Sequence, residues 1–434
     1  MLLPLLILLA AAPPALSPDR KIGIEGLQEK LQDLDVGVNW IYDDLKYAQE
    51  QGRKTGKPLL VTFRCVPCEA CKGFDARVRK NDPEIGDLLK RFVTLRLVQM
   101  KGVDLGTFQF DYDQSWAAFF MNADGTIYGR YGTPVKDDPM AYNSMASFKK
   151  AMERALALHQ NYPSIKNLLA GKQGKKVPYA RPELIPALKG KYEGPTARDN
   201  CIHCHMINDG YQKTEQEEGR WKKEDFIKRY PLPENAGMIM EVDEGIRVKS
   251  VIPGSAAARA GIRPGDWIRG LDGQPVLSQA DIQWVFHNAG DTAEIPVVLS
   301  RVPSPSGRGE GGIEAVLRLS GSWKIRDSAW RPSLWSLHPQ ENFWAPELSE
   351  EEKRQETVMR GRLALRVKWI PKESSANAAG LKEGDLIVSV DGSTKAKTAR
   401  ELAYYVRFEK KVGDILELRV RRGGHDLTLK QKLE

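Results

Sequence analysis

One pattern occurs twice in this chain, and that repetition limits the fold more than any other feature. The first copy runs from Gly245 to Gly273 and contains A-G-h-x-x-G-D-h-I over Ala260 to Ile268, where h is hydrophobic, then Asp272-Gly273. The second runs from Ala376 to Gly392, with Gly380, Gly384-Asp385 and Asp391-Gly392 at matching places. The glycines allow a tight turn at the end of a short helix. The Gly-Asp-hydrophobic step re-enters a sheet, and Asp-Gly closes a hairpin. An amphipathic helix is expected next in each copy, over Ser278 to Asn288 and Thr398 to Lys410. Strands over Ala293 to Leu299 and Ile415 to Arg421 follow.

Both copies resemble the PDZ domain. The resemblance implies a groove that takes an extended peptide as an added strand, with the terminal carboxylate on backbone N–H groups of a Gly-containing loop. In circularly permuted bacterial PDZ domains that loop opens the first strand. Here it would be Ala236-Gly237-Met238-Ile239 and Arg360-Gly361-Arg362-Leu363. Ile282 and Phe286 in the first copy, and Leu402 and Val406 in the second, are expected to face the groove and select a hydrophobic terminal residue. Arg360 and Arg362 should attract the carboxylate, which favours the second groove. The expected partners are protein or peptide C-termini, with a pure scaffold role as the alternative. PDZ pairs often accompany exported serine proteases. The chain has no Gly-x-Ser-x-Gly segment, and its six histidines suggest no triad partner, so the expectation is that it is not a protease.

Three of the five cysteines fall at Cys65, Cys68 and Cys71, directly after the apolar run Pro58 to Phe63. A strand running into C-x-x-C and then a helix builds a thiol–disulfide site, because the helix N-terminus favours thiolate over thiol. A second thiol one turn on can resolve the mixed disulfide. Two pairs compete, Cys65/Cys68 and Cys68/Cys71. In the thioredoxin fold the reactive Cys usually lies five residues past the last aromatic of the strand. Counting from Phe63 therefore makes Cys68 the nucleophile, Cys71 the resolving thiol and Cys65 an accessory. A structural zinc site or an inert disulfide are the other readings.

The surroundings look thioredoxin-like over roughly residues 36 to 158. A charged helical stretch runs from Tyr42 to Gly52, and strands are expected at Val93 to Val98 and Trp116 to Met121. A return strand over Thr126 to Tyr131 and a terminal helix over Ser144 to His159 complete the set. The same likeness puts Trp116 where a cis-proline normally faces the reactive Cys, which departs from ordinary disulfide reductases.

At 434 residues the chain needs two to four cores. Its net charge of +8 is spread among interleaved acids, which argues against a nucleic-acid partner. The apolar run Leu2 to Ala12 has signal-peptide length, with cleavage expected near Ala15 to Ser17 and an uncleaved anchor as the alternative. No other segment is apolar enough to span a membrane. An exported, periplasmic or extracytoplasmic location follows.

The last two cysteines lie in Cys201-Ile202-His203-Cys204-His205. C-x-x-C-H is the attachment signature of haem c, with two thioether bonds and His205 on the iron. Zinc and a plain thiol or disulfide pair stay open as alternatives, and the region is poor in apolar residues.

Taken together, these parts resemble a family of exported bacterial thioredoxin/PDZ fusion proteins, some members of which carry selenocysteine in the reactive motif. The expected class is multidomain α+β: signal peptide 1–17, thioredoxin-like α/β domain 18–160 and C-x-x-C-H segment 161–235. PDZ domains 236–322 and 359–434 follow, both circularly permuted, around a Trp-rich linker 323–358. The expected function is an exported thiol–disulfide or peroxide-type oxidoreductase whose PDZ pair docks partners, with an unknown redox partner. A haem electron-transfer protein and a non-catalytic peptide-binding scaffold are the alternatives.

Overall fold

The computed structural model describes residues 33, 36, 40–64, 72–80, 82–134, 141–197, 199–301 and 312–434. The expected signal peptide and Cys65, Cys68 and Cys71 lie outside the described residues.

The N-terminal domain is a five-stranded sheet in the order β1-β3-β2-β4-β5. Its strands are β1 (Trp40–Tyr42), β2 (Leu59–Arg64), β3 (Val93–Leu97), β4 (Trp116–Met121) and β5 (Ile127–Tyr131). β2 is central, parallel to β3 and antiparallel to β4. Every residue of β2 and β4 is buried, so alternate side chains enter two cores. Leu60, Ala118 and Phe120 face Phe148 and Met152 of a long helix, while Val61, Phe63, Ala117 and Phe119 face the opposite way. That helix, Met145–Gln160, starts on a capping box in which Ser144 Oγ accepts the Ser147 N–H.

The second face is covered by Met100, Val103, Leu105, Phe108 and Phe110 from the stretch after β3 and by two further elements. Helix α1 (Leu45–Thr55) supplies Leu45 and Ala48, and the C-x-x-C-H segment supplies Ile185, Leu188, Ile202, Cys204 and Ile207. The backbone joins them too: Met100 N–H donates to Ile202 O at 2.9 Å. Ile165, Leu169, Ile185, Leu188, Ile202, Cys204 and Ile207 are therefore part of this domain's cores, while Phe226 and Ile227 pack with Leu334, Leu337, Ala403 and Phe408. Full burial of a side chain such as Ile202 contributes about 1.5–3 kcal/mol. Other helices of the domain include α2 (Lys72–Arg79), α3 (Met145–Gln160) and α4 (Cys204–Glu217).

The two repeat units fold alike. In the first, β6 (Met238–Met240) pairs with β7 (Val248–Val251), and β8 (Trp267–Leu271), β9 (Gln274–Pro275), β10 (Ala293–Ser300) and β11 (Ile313–Leu319) form a sheet flanked by α5 (Gln279–Asn288). In the second, β12 (Leu365–Arg366), β13 (Leu386–Val390), β14 (Ile415–Arg422) and β15 (His425–Lys432) form the sheet, flanked by α6 (Ala399–Glu409). Thr398 and Glu401 cap α6 reciprocally.

Residues 323–358 do more than join the repeat units. Arg331 is fully buried and pairs with Asp111 at 2.6 Å and Asp113 at 2.8 Å, tying this stretch to the N-terminal domain. Among the described residues no helix is long and apolar enough to cross a membrane.

Candidate peptide-docking site

In the first repeat unit, β6 has a buried–exposed–buried pattern. Gly237 before it has φ +93°, a left-handed conformation that favours glycine. A Cβ there would meet Ser255 Oγ at 2.0 Å. The Gly237 N–H is already given to Glu234 O at 2.9 Å, so it is not presented to a ligand as expected. Ala236, Met238, Ile282 and Phe286 are buried in one core, and only Ile239 reaches the surface.

Helix α5 has no open face over its first two turns. Every residue from Gln279 to Phe286 is buried. Asp281 accepts the Arg130 N–H of β5 at 3.1 Å and the Lys172 ammonium at 2.9 Å. Ser278 Oγ donates to Arg130 O at 2.6 Å, Trp284 donates to Gly171 O, and the Arg130 guanidinium lies 3.8 Å from the Trp284 ring. At the other end, Tyr230 stacks on His287 at 4.1 Å and Trp323 meets Phe286 edge-on at 5.4 Å. Burial and nearby cations push the His287 imidazole down to about 3, so it is neutral in the stack. The first helix is thus spent on docking the N-terminal domain.

The second unit places its counterpart strand upstream of the expected loop, after Asn342. Phe343, Trp344 and Ala345 repeat the buried–exposed–buried pattern, and Asn342 before them has φ +53°. Trp344 pairs with Trp369 as Ile239 pairs with Ser250. Trp344 gives its N–H to Trp369 O at 2.9 Å and accepts the Trp369 N–H at 3.3 Å. In an antiparallel pair that exchange turns the N–H and C=O of Phe343 and Ala345 to the opposite edge. Among the described residues no hydrogen bond reaches them there. Phe343 and Ala345 share their core with Leu402 and Val406 of α6. Arg407 near the end of α6 bonds Glu341 at 2.5 Å, and Glu347 accepts the Ala399 N–H at its start.

The expected loop at Arg360 to Leu363 is corrected by this arrangement. Leu363 is a core residue whose N–H goes to Thr394 O at 2.9 Å. Arg362 bonds Thr394 Oγ1, Gly361 O accepts the Ala396 N–H, and Arg360 is exposed. Leu402 and Val406 lie in the domain core beneath the groove. What the sequence reading missed was Asn342 to Ala345; asparagine is among the few residues other than glycine that tolerate the left-handed turn, and that was the available signal.

Of the C-x-x-C-H residues, Ile202 and Cys204 are packed into the thioredoxin-like core. Cys201 and Cys204 are buried, and burial pushes the Cys201 thiol up. The cavity lined by Cys204, His203, Phe63 and Arg64 measures about 10 Å³, far below the size of a porphyrin. A haem held by Cys201, Cys204 and His205 does not fit. Among the described residues no three His, Cys, Asp or Glu side chains gather as a metal site. His205 instead bonds Asp209 at 3.0 Å; burial opposes protonation, but Asp209 outweighs it and holds the imidazole above its usual value.

At the mouth of β2, Asp75 receives Arg96 at 2.7 Å and Trp116 Nε1 at 3.1 Å, with Arg64 at 3.3 Å. Trp116 is buried beside Phe74 and Phe148.

Comparison with known families agrees with the architecture. A thioredoxin-like family matches residues 40–123, and PDZ families match 247–299 and 348–433. The chain holds a thioredoxin-like domain followed by two PDZ domains. The second PDZ match begins at Leu348, inside the stretch expected to be a linker. The magnetosome formation protease MamE of Magnetospirillum gryphiswaldense is 25% identical over 226 residues, covering 46% of this chain and 28% of that one. The serine protease Do-like HtrA of Lactobacillus helveticus is 37% identical over 68 residues, 16% of each chain. A solved HtrA3 PDZ domain bound to a phage-derived ligand is 23% identical, covers 23% of this chain and 86% of that one, and has a TM-score of 0.19.

Two expectations are corrected by these relatives. Both curated proteins are named proteases, so the exclusion of proteolysis does not stand. The thiol–disulfide or peroxide-type oxidoreductase centred on Cys68 and Cys71 is overturned as well, and no redox partner is supported. The chain spans less than a third of the length of either curated relative, so proteolysis is a statement about those proteins. Peptide docking is what the PDZ domains support.

Proposed function

We propose that this protein docks peptides through its second PDZ domain, by strand addition along Phe343 to Ala345. One observation carries the reading. The peptide groups of Phe343 and Ala345 are turned away from Trp369, with no partner among the described residues, while the corresponding helix of the first PDZ domain is buried from Gln279 to Phe286. Each PDZ domain is read as circularly permuted, its ligand strand coming first in chain order and its groove helix later.

Three tryptophans support docking at this end of the molecule. Trp335, Trp344 and Trp369 are 36%, 41% and 56% exposed, and Trp335 lies 5.9 Å from Trp344. Exposed aromatics of this kind are enriched where partners bind. The first PDZ domain serves as a brace for the thioredoxin-like domain. Export is part of the proposal, resting on Leu2 to Ala12, and cell fractionation of the tagged protein tests it.

The test is a C-terminal peptide library screened against the full chain. Selected peptides should bind one site, lose affinity in variants of the 343–345 edge and keep it in variants of Ile239.

A further inference from the structure

We propose that the junction between the thioredoxin-like domain and the first PDZ domain binds a small apolar carboxylate of the medium-chain fatty acid kind. A cavity of about 230 Å³ opens between α3 with the segment after it and the β8–β9 hairpin. Its walls are largely aliphatic, from Leu158, Ile165, Leu168, Pro275, Val276 and Val298, and Arg154 and Arg269 line it as well. Leu168 and Val298 are exposed at its rim.

The charge pattern selects the ligand. Arg154 gives hydrogen bonds to Leu277 O at 2.9 Å and twice to Glu244 O at 3.2 Å, all neutral backbone carbonyls. Among the described residues it makes no ion pair. Arg269 lies over the Trp267 ring at 4.9 Å, and burial, only partly offset by the attraction of Glu244, holds its guanidinium below its usual value. The carboxylate of Glu244, the acid closest in influence, is held by Lys150 at 2.6 Å. Burial and the neighbouring Arg269 together push the Arg154 guanidinium down to about 10, the direction expected when like charges share a low-dielectric wall.

An anionic head between the two arginines relieves that repulsion through charge-assisted hydrogen bonds. The aliphatic walls then favour a hydrocarbon tail over a sugar or a second charge. The volume falls just below the roughly 300–1,000 Å³ of drug-sized sites, which favours a short ligand. No bond is made or broken.

Calorimetry of the full-length protein with octanoate and with octan-1-ol tests the proposal. Octanoate should bind saturably at one site, and octan-1-ol at least about tenfold more weakly. Arg269→Gln should weaken octanoate at least about tenfold. Leu168→Glu, a rim change that leaves the fold intact by circular dichroism, should weaken it in the same direction. Equal affinity for the alcohol, unchanged binding in both variants, or no saturable heat would overturn the proposal. Displacement of octanoate by a tighter free-acid peptide, but not by its amide, would overturn it in favour of a peptide C-terminus.

Discussion

Asn342 stands in the second PDZ domain where Gly237 stands in the first. Both residues have positive φ, at +53° and +93°, and both open a three-residue stretch with its outer residues buried and its central one exposed. The turn geometry is shared, but the space around it is not. Ser255 crowds the glycine, so one copy requires Gly and the other accepts Asn.

Gly237→Ala should therefore destabilise the protein by at least about 2 kcal/mol, from left-handed strain plus overlap with Ser255. Asn342→Gly should change stability by less than about 1 kcal/mol. Urea unfolding of the full chain followed by circular dichroism compares the two.

Arg331 fixes the inter-domain stretch to Asp111 and Asp113 within a buried cluster. Arg331→Ala leaves two buried carboxylates without that partner and should cost about 3–5 kcal/mol. The Asp113 carboxyl is held below its usual value: burial alone would raise it, but Arg331 and Arg229 outweigh burial. Its contribution is thus full above the unfolded value of about 3.9 and is lost as pH falls through the folded one. The variant should show a shallower loss of stability on acidification, measured by urea unfolding between neutral pH and the acid limit of folding.

The His205–Asp209 pair has the opposite sign. With the folded imidazole value raised, its contribution is full below the unfolded value of about 6.5 and fades as pH rises through the folded value. Asp209→Asn should lower the His205 titration midpoint, read by NMR of the imidazole protons. An unchanged midpoint would show that the 3.0 Å contact does not set it.

Much of the scaffold was legible in the sequence. The Gly-Asp and Asp-Gly steps marked both PDZ domains, and the apolar alternation at Leu59 to Phe63 and Trp116 to Met121 marked the central strands. The helices at Met145, Gln279 and Ala399 begin within a residue of the expected starts. The site was less legible for three physical reasons. The second ligand strand opens on Asn342 and not on Gly, so a search for glycine selected Gly361. The first groove helix is buried by another domain, and helical periodicity cannot distinguish Ile282 in a core from Ile282 in a groove. The C-x-x-C-H spacing matches haem attachment, but Ile202 and Cys204 are drawn into the thioredoxin-like core by contacts distant in sequence.

If a peptide adds to the Phe343–Ala345 edge, Ala345→Pro should block it. Proline removes an N–H that has no partner among the described residues, so its cost to the fold should be small on an edge strand. Peptides selected against the wild type are titrated into both proteins by fluorescence anisotropy, with circular dichroism as the fold control. Ala345→Pro should weaken binding at least about tenfold, while Ile239→Ala in the first PDZ domain should leave it unchanged. Undiminished binding to a folded Ala345→Pro protein, or loss of binding in Ile239→Ala alone, would contradict strand addition at the Phe343–Ala345 edge.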